Sequence, residues 1–252
     1  MEDAYRRGIE GLIDTWRALG VTPGTTVVEW ENTVALLTGL PHPIANQALV
    51  VGGTPSSTFD ELRELYRAHN VPYVVQILDE VQPSLDGIAR AAGFRAAGDL
   101  PFMVCSPIPQ QGPPPNPLLG IERVSDEGSY EVITSILQSS FDVPAAIAPA
   151  FVNAELEKAG RFAYLLGSIG GSAVCTSSAF LGDGVVGIYC VGTLEATRRQ
   201  GAGALITRAA IDAGVERGAD LAFLQSSSLG FRVYERLGFR QVGYNTMYVP
   251  AN

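Results

Sequence analysis

Two stretches of this chain repeat in frame. IARAAGFRAAGDLPFMV at 88–104 aligns with VYERLGFRQVGYNTMYV at 233–249, setting Gly93-Phe94-Arg95 and Gly98 opposite Gly238-Phe239-Arg240 and Gly243. The elements expected ahead of each copy also recur in order, as strand, helix, strand, helix. The halves therefore read as diverged copies of one unit. Between them CSPIPQQGPPPNPLLG, residues 105–120, carries six prolines, which break a helix and favour extended chain. A length of 252 residues suits two compact units of roughly 100 to 150 residues. The expected division is a first domain over 1–105, a Pro-rich linker over 106–119 and a second domain over 120–252.

In the first half, NQALVVGG and VPYVVQIL read as strands, and STFDELRELYRAH and SLDGIARAAG as helices with Ser, Thr or Asp near their starts. After the linker, GIERVSD reads as a strand, EGSYEVITSILQSS and AAIAPAFVNAELEKAG as helices, and residues 162–194 as three strands joined by Gly-rich turns. A helix from about Gly203 to Arg217, the strand DLAFLQSS, the short helix GFRVYERLG and a strand around YNTMYV complete the chain. The fold class is α/β with a mixed sheet.

Composition narrows the functions. Hydrophobic residues make up 46% and charged residues 17%, and no tract reaches about 18 consecutive apolar residues, so no membrane partner is expected. The N-terminus MEDAYRRGIEGLIDTWRALG is amphipathic and carries acidic residues, unlike a secretory signal; a cytoplasmic location is the expectation. A net charge of -9 opposes nucleic-acid binding, which needs clustered cations. Cys105, Cys175 and Cys190 are odd in number and lack Cys-x-x-Cys spacing, against a disulfide framework or a metal site. They read as buried thiols. His42 reads as a loop residue, His69 as a helix C-terminal residue, and Trp16 and Trp30 as packing.

The most informative loop is TRRQGAGALIT, residues 197–207. Gly201 and Gly203 allow a sharp bend and close approach of a ligand, and the helix that follows offers free N–H groups at its positive end. Arg198 and Arg199 add charge-assisted donors, so a diphosphate fits best. A P-loop would place Lys-Ser/Thr where Ala204-Leu205 stands, and a dinucleotide fingerprint would need Gly or Ala at Ile206. A formal Gly-x-Gly-x-x-Gly match at Gly182, Gly184 and Gly187 precedes a strand, and Asp183-Gly184 signals a hairpin turn. It is discarded.

Arg198-x-x-Gly201-x-Gly203, after a strand ending IYCVGTL and opening a helix, resembles the acetyl-CoA pyrophosphate loop of the GNAT acetyltransferases. SSLGFRVYERLGF resembles that family's Asn-x-x-Ala-x-x-x-Tyr-x-x-x-Gly-Phe stretch, with Ser227 for the Asn, Gly230 for the Ala, and Tyr234, Gly238 and Phe239 matching. The resemblance covers about 120–250. The first half resembles only the C-terminal part of that fold, so the chain looks like a tandem GNAT protein with a degenerate first copy, whose Ala89 stands opposite Tyr234.

This resemblance implies an acetyl-CoA site made by Cys190, Val191, Thr193, Arg198, Arg199, Gln200, Gly201, Ala202, Gly203, Ala204, Ser227, Gly230, Phe231 and Tyr234, with no metal. It implies that GIYCVGTL splays from the next strand, that the Val191 amide stabilises the developing oxyanion, and that Tyr234 protonates the leaving thiolate. The same Tyr234 also fits one apolar helical face with Phe231 and Leu237. GIYCV supplies no carboxylate base, and water is left to take the amine proton. Among Ser226, Ser227 and Ser228 at least one is expected to cap the short helix. Tyr189 either lines the acceptor pocket or faces away from it. Without a partner His, Cys190 is not expected to be a nucleophile.

The expected activity is transfer of an acetyl group to the amine of a small molecule by direct attack in a ternary complex, in a monomer or homodimer. The alternatives are a noncatalytic acyl-CoA binder or sensor and a protein N-acetyltransferase. The first domain is expected to complete the acceptor pocket or cover a sheet edge.

Overall fold

The computed structural model describes residues 2–141 and 144–251. Helix α1, Glu2–Leu19, buries Tyr5, Ile9, Leu12, Trp16 and Leu19 along one stripe because they recur every three or four residues. A hairpin follows, β1 Thr26–Trp30 and β2 Thr33–Leu37, turned at Glu31-Asn32 with Asn32 in the left-handed region at φ 63°. Asn tolerates that region better than most residues. Next come β3 Gln47–Val50, α2 Ser56–Ala68, β4 Val74–Leu78, α3 Gln82–Ala91 and β5 Phe94–Cys105.

The Pro-rich segment leads to β6 Leu119–Val124, α4 Glu127–Phe141 and α5 Ala154–Lys158. Strands β7 Phe162–Ile169, β8 Ser172–Leu181 and β9 Val185–Thr193 precede α6 Ala202–Val215, β10 Leu221–Gln225, α7 Phe231–Arg236 and β11 Arg240–Pro250. The sequence reading of one helix across 145–160 is corrected here. A 3-10 turn, Ala145–Ala150, contains Pro149, which has no N–H to donate, and α5 starts afresh where Asn153 accepts from the Leu156 amide at 2.9 Å. The first half also holds more of the repeated unit than expected, since α1 and an antiparallel β1-β2-β3 unit precede α2.

The strands form one sheet in the order β1-β2-β3-β4-β11-β5-β10-β9-β8-β7-β6. Each half thus lends its last strand to the other, since β11 pairs with β4 and β5 pairs with β10. The two lent strands pair antiparallel in the centre, Phe94 opposite Pro250 and Val104 opposite Arg240, with one bulge in each, at Ala97 and Val242. Those bulged residues are equivalent in the repeat alignment, so the pair is related to itself by a local two-fold. The symmetry foreshadowed in the sequence is present in the backbone.

One face of the sheet is covered by α1 and α4, whose side chains join Leu36, Leu78, Phe102, Phe180 and Phe223 in a core that crosses both halves. The other face carries α2 and α3 over the first half and α6 and α7 over the second. Helix α1 lies close on the sheet because Gly8 and Gly11 face Phe102 and Phe223. A Cβ on Gly11 would stand 2.6 Å from the Phe223 ring. By this contact the first half covers the α1 face of the second half's central strands.

Candidate acyl-CoA site

Strands β9 and β10 run parallel and pair only from Val185 to Gly187 against Leu221 to Phe223. Beyond that point β9 continues to Thr193 and β10 to Gln225, and the two diverge. A splay of this kind leaves backbone N–H and C=O groups of β9 for another partner. On its other side β9 keeps pairing with β8, but Ser178 meets Tyr189 and Thr176 meets Gly192, so β9 bulges at Cys190 and Val191. Cys190 sits there in the left-handed region at φ 53°. Bulges of this sort re-aim side chains beside functional sites.

The bulge divides the neighbouring side chains between the two faces. Tyr189 and Cys190 pack with the α1 and α4 core, and Val191 packs with the α6 and α7 core. Tyr189 donates to Thr15 of α1 at 3.2 Å and meets Phe223 edge-on. Of its two sequence options it takes the face opposite α6. Burial pushes the Cys190 thiol up, away from the thiolate that a nucleophile needs. Cys175 is likewise pushed up to about 11 by burial.

After β9 the chain turns through Glu195–Thr197, and Arg198 folds back so that its Nε donates to the Thr193 carbonyl at 3.1 Å. Arg199 and Gly201 take positive φ values of 63° and 85°. Gly201 is therefore the residue whose glycine identity the backbone requires. Gly203 is different, since a Cβ there would make only ordinary contact with Thr193 Oγ1 at 3.5 Å. No side chain caps α6, so the first N–H groups, of Ala202, Gly203 and Ala204, have no intrahelical acceptor. Asn116 of the Pro-rich segment donates to the Gln200 carbonyl at 3.3 Å and steadies the loop from outside. Sequence reading overlooked that brace; an Asn between prolines was its only signal.

Tyr234 lies on α7, buried against Phe239 in an edge-on contact, and its ring fills the space over Gly230. A Cβ on Gly230 would stand 2.6 Å from the Tyr234 ring and 3.2 Å from its hydroxyl. Burial pushes the phenol up to about 12. Tyr234 and Val191 belong to the same side-chain cluster, on the α6 face of the splay. Ser227 accepts from the Gly230 amide through Oγ at 3.3 Å and stabilises the turn that enters α7; α7 itself starts after Gly230 with no side-chain cap. Phe231 packs at the edge of this cluster.

The remaining sequence candidates occupy structural places. His42 accepts from the Ile44 amide at a 3-10 turn, and His69 bonds the Leu65 carbonyl at the end of α2. Trp16 is in the core and Trp30 packs against the first-half cluster. Gly184 turns the β8–β9 hairpin at φ 67°. Among the described residues no group of three or more His, Cys, Asp or Glu side chains is placed to hold a metal ion, and no helix is long and apolar enough to cross a membrane.

No protein-family model and no curated protein matches the sequence. Among solved structures, the chain is similar to a GCN5-related N-acetyltransferase from Kribbella flavida, at 22% identity and a TM-score of 0.76 over 97% of this chain and 96% of that one. It is also similar to a tandem GNAT protein from the clavulanic acid biosynthesis pathway, at 12% identity and 0.62 over 98% and 96%. A putative GNAT-family acetyltransferase from Novosphingobium aromaticivorans matches at 16% and 0.60 over 90% and 92%. At these identities the likeness concerns architecture. With the splayed parallel pair, the bulge and the uncapped helix start, it establishes that the chain has the fold of the GNAT acetyltransferases, built in tandem.

Proposed function

We propose that the chain is an acetyl-CoA-dependent N-acetyltransferase acting on the amine of a small molecule. The observation that carries the reading is the coincidence of the β9/β10 splay with the uncapped, positive-φ entry to α6. An extended pantetheine arm fits beside the unpaired edge of β9 near Cys190, Val191 and Thr193, and a diphosphate fits the N–H groups at Gly201 to Ala204 flanked by Arg198, Arg199 and Gln200. Bound acetyl-CoA supplies an acyl group activated as a thioester.

The chain's own residues then have distinct tasks. The Val191 amide offers a fixed donor to negative charge developing on the acyl oxygen, a contribution of about 3 kcal/mol for one such donor. Tyr234, with its phenol raised by burial, stays protonated at every physiological pH. It is positioned to give its proton to sulfur as the C–S bond breaks and charge builds there; because a thiol's reference pKa of about 8.5 lies below that of the buried phenol, the transfer is uphill and is completed when Tyr234 is reprotonated. The C–N bond forms as the C–S bond breaks, the amine's surplus proton leaves through water, and solvent returns a proton to Tyr234. Ser227, Gly230 and Phe231 hold the Tyr234 helix in place. A noncatalytic acyl-CoA binder is the second reading, favoured by the lack of a carboxylate or histidine along β9.

Calorimetric titration of acetyl-CoA tests the proposal. One molecule should bind per chain, and an Arg198→Ala/Gly201→Val double variant should weaken binding by at least about 100-fold, from lost donors and an unfavourable left-handed valine. No binding to the native chain overturns both readings; binding without turnover on an amine panel leaves the binder.

A further inference from the structure

A row of uncharged amide side chains crosses the junction of the two halves on the α1 face of the sheet. Gln76 of β4 donates to Gln47 of β3 at 2.7 Å, and its Oε1 accepts from Gln225 of β10 at 2.6 Å and from Asn245 of β11 at 3.0 Å. Strand alternation puts them on one face, since Gln225 is two residues past Phe223, Gln76 two before Leu78, and Asn245 opposite Leu78. The Gln47 amide is further tied to the Ile44 carbonyl at 2.6 Å.

Two carbonyl oxygens in the row are left over. Asn245 has no solvent exposure, yet its Oδ1 has no partner, and Oε1 of half-buried Gln225 accepts no hydrogen bond among the described residues. A buried carbonyl without a donor destabilises a fold. Departures of that kind are expected where a functional site needs them. The position agrees, because Gln225 ends β10 inside the splay. If the register of Gly187 with Phe223 is carried on two residues, it faces Tyr189 across the gap. The row therefore starts at the mouth of the proposed acyl site, on the face away from α6. Helix α1 walls it, with Tyr189 bonded to Thr15 and Tyr5 bonded to Asp79 at 2.9 Å. No arginine or lysine hydrogen-bonds to any of the four amides among the described residues.

We infer that Gln225 and Asn245, both held by the Gln76 side chain, bind the acceptor, and that it is a primary amine with additional hydroxyl or N–H donors and no carboxylate. This rests on the acyl-CoA reading above. Unpaired carbonyls accept from N–H and O–H groups, whereas a carboxylate would meet two carbonyl oxygens with no cation to balance it. The site needs both halves, since Gln76 of the first positions Gln225 and Asn245 of the second.

Glucosamine and 2-aminoethanol serve as donor-bearing probes and β-alanine as the carboxylate-bearing one, with the full chain and acetyl-CoA. Turnover of at least one donor-bearing amine and none of β-alanine is expected. Gln225→Leu and Asn245→Leu should each raise that amine's KM at least tenfold and leave the KM for acetyl-CoA unchanged. Asn245→Leu should also unfold at a higher temperature, because an unpaired carbonyl gives way to an apolar group of similar size. If Asn245→Leu fails to fold or melts lower, its carbonyl is structurally engaged and the inference is overturned. Acceptor KM values within twofold of native in both variants, a preference for β-alanine, or acetyl-CoA binding without turnover of either donor-bearing amine would also overturn it, leaving the acyl-CoA site intact. Absence of acetyl-CoA binding overturns both.

Discussion

The two copies build the same strand-helix-strand frame around a crevice and treat it in opposite ways. In the first, β3 pairs with β4 along its whole length, Gln47 to Val50 against Val74 to Ile77. The loop beyond is fastened by Asn32, whose Nδ2 donates to the Gly53 carbonyl at 2.8 Å and whose side chain leaves no room for a Cβ on Gly52. In the second, β9 leaves β10 after Gly187, and the loop carries arginines and open N–H groups. Where Gly230 and Tyr234 stand in the second copy, the first has buried Leu85 and Ala89, hydrocarbon against hydrocarbon. A sheet and a binding crevice compete for the same backbone hydrogen bonds. The copy that completed its sheet gave up the crevice.

Three substitutions or conditions sharpen that contrast. The largest effect is expected from Tyr234→Phe, which removes the hydroxyl that the first copy lacks. Turnover should fall by about 100-fold or more with the KM for acetyl-CoA little changed, and unchanged turnover would show that Tyr234 is only packing. Next is Gly230→Ala, a small step toward the first copy's Leu85. The added methyl meets the Tyr234 ring at 2.6 Å, so the ring must move, and kcat should drop by about tenfold from misplacement of the hydroxyl.

The last effect leaves activity untouched at working pH and concerns stability at high pH. Tyr234 is raised to about 12 in the fold, against a reference of about 10 in the unfolded chain. Its contribution is present below pH 10 and fades as the pH rises toward 12, because the unfolded chain loses the proton first. Native protein should lose about 2 kcal/mol more than Tyr234→Phe over that interval, measured by denaturant unfolding at fixed ionic strength. Equal losses would place the phenol in water.

Much of this was legible in the sequence, and the limits have physical causes. The α6 entry could be read because Gly201 and its neighbours state a backbone requirement locally, and Tyr234 because helical spacing fixes its distance from Gly230. The repeat gave the equivalence of β5 and β11, but equivalence does not say which strands pair, so the exchange between halves was hidden. The β1–β2 hairpin was passed over because Glu31-Asn32 is a weaker turn signal than Asn-Gly. Gln225 and Asn245 stand out as polar residues within apolar strands, yet their meeting with Gln76 spans three elements far apart in the chain. Alternation gives a face and no partner.

The exchange of β5 and β11 also sets an order of events during synthesis. Strand β4 is made early, but the neighbour that covers its edge, β11, holds Arg240–Pro250 and is made only after the whole of β6 to α7. Until then the first copy has an open edge, and its own last strand, β5, awaits β10 as well. Open edges invite pairing with other chains, and contacts this distant in sequence form slowly. The first half to emerge is thus the last to be finished, and a nascent chain paused before residue 240 would be most exposed to misassembly in the copy that has no crevice to lose.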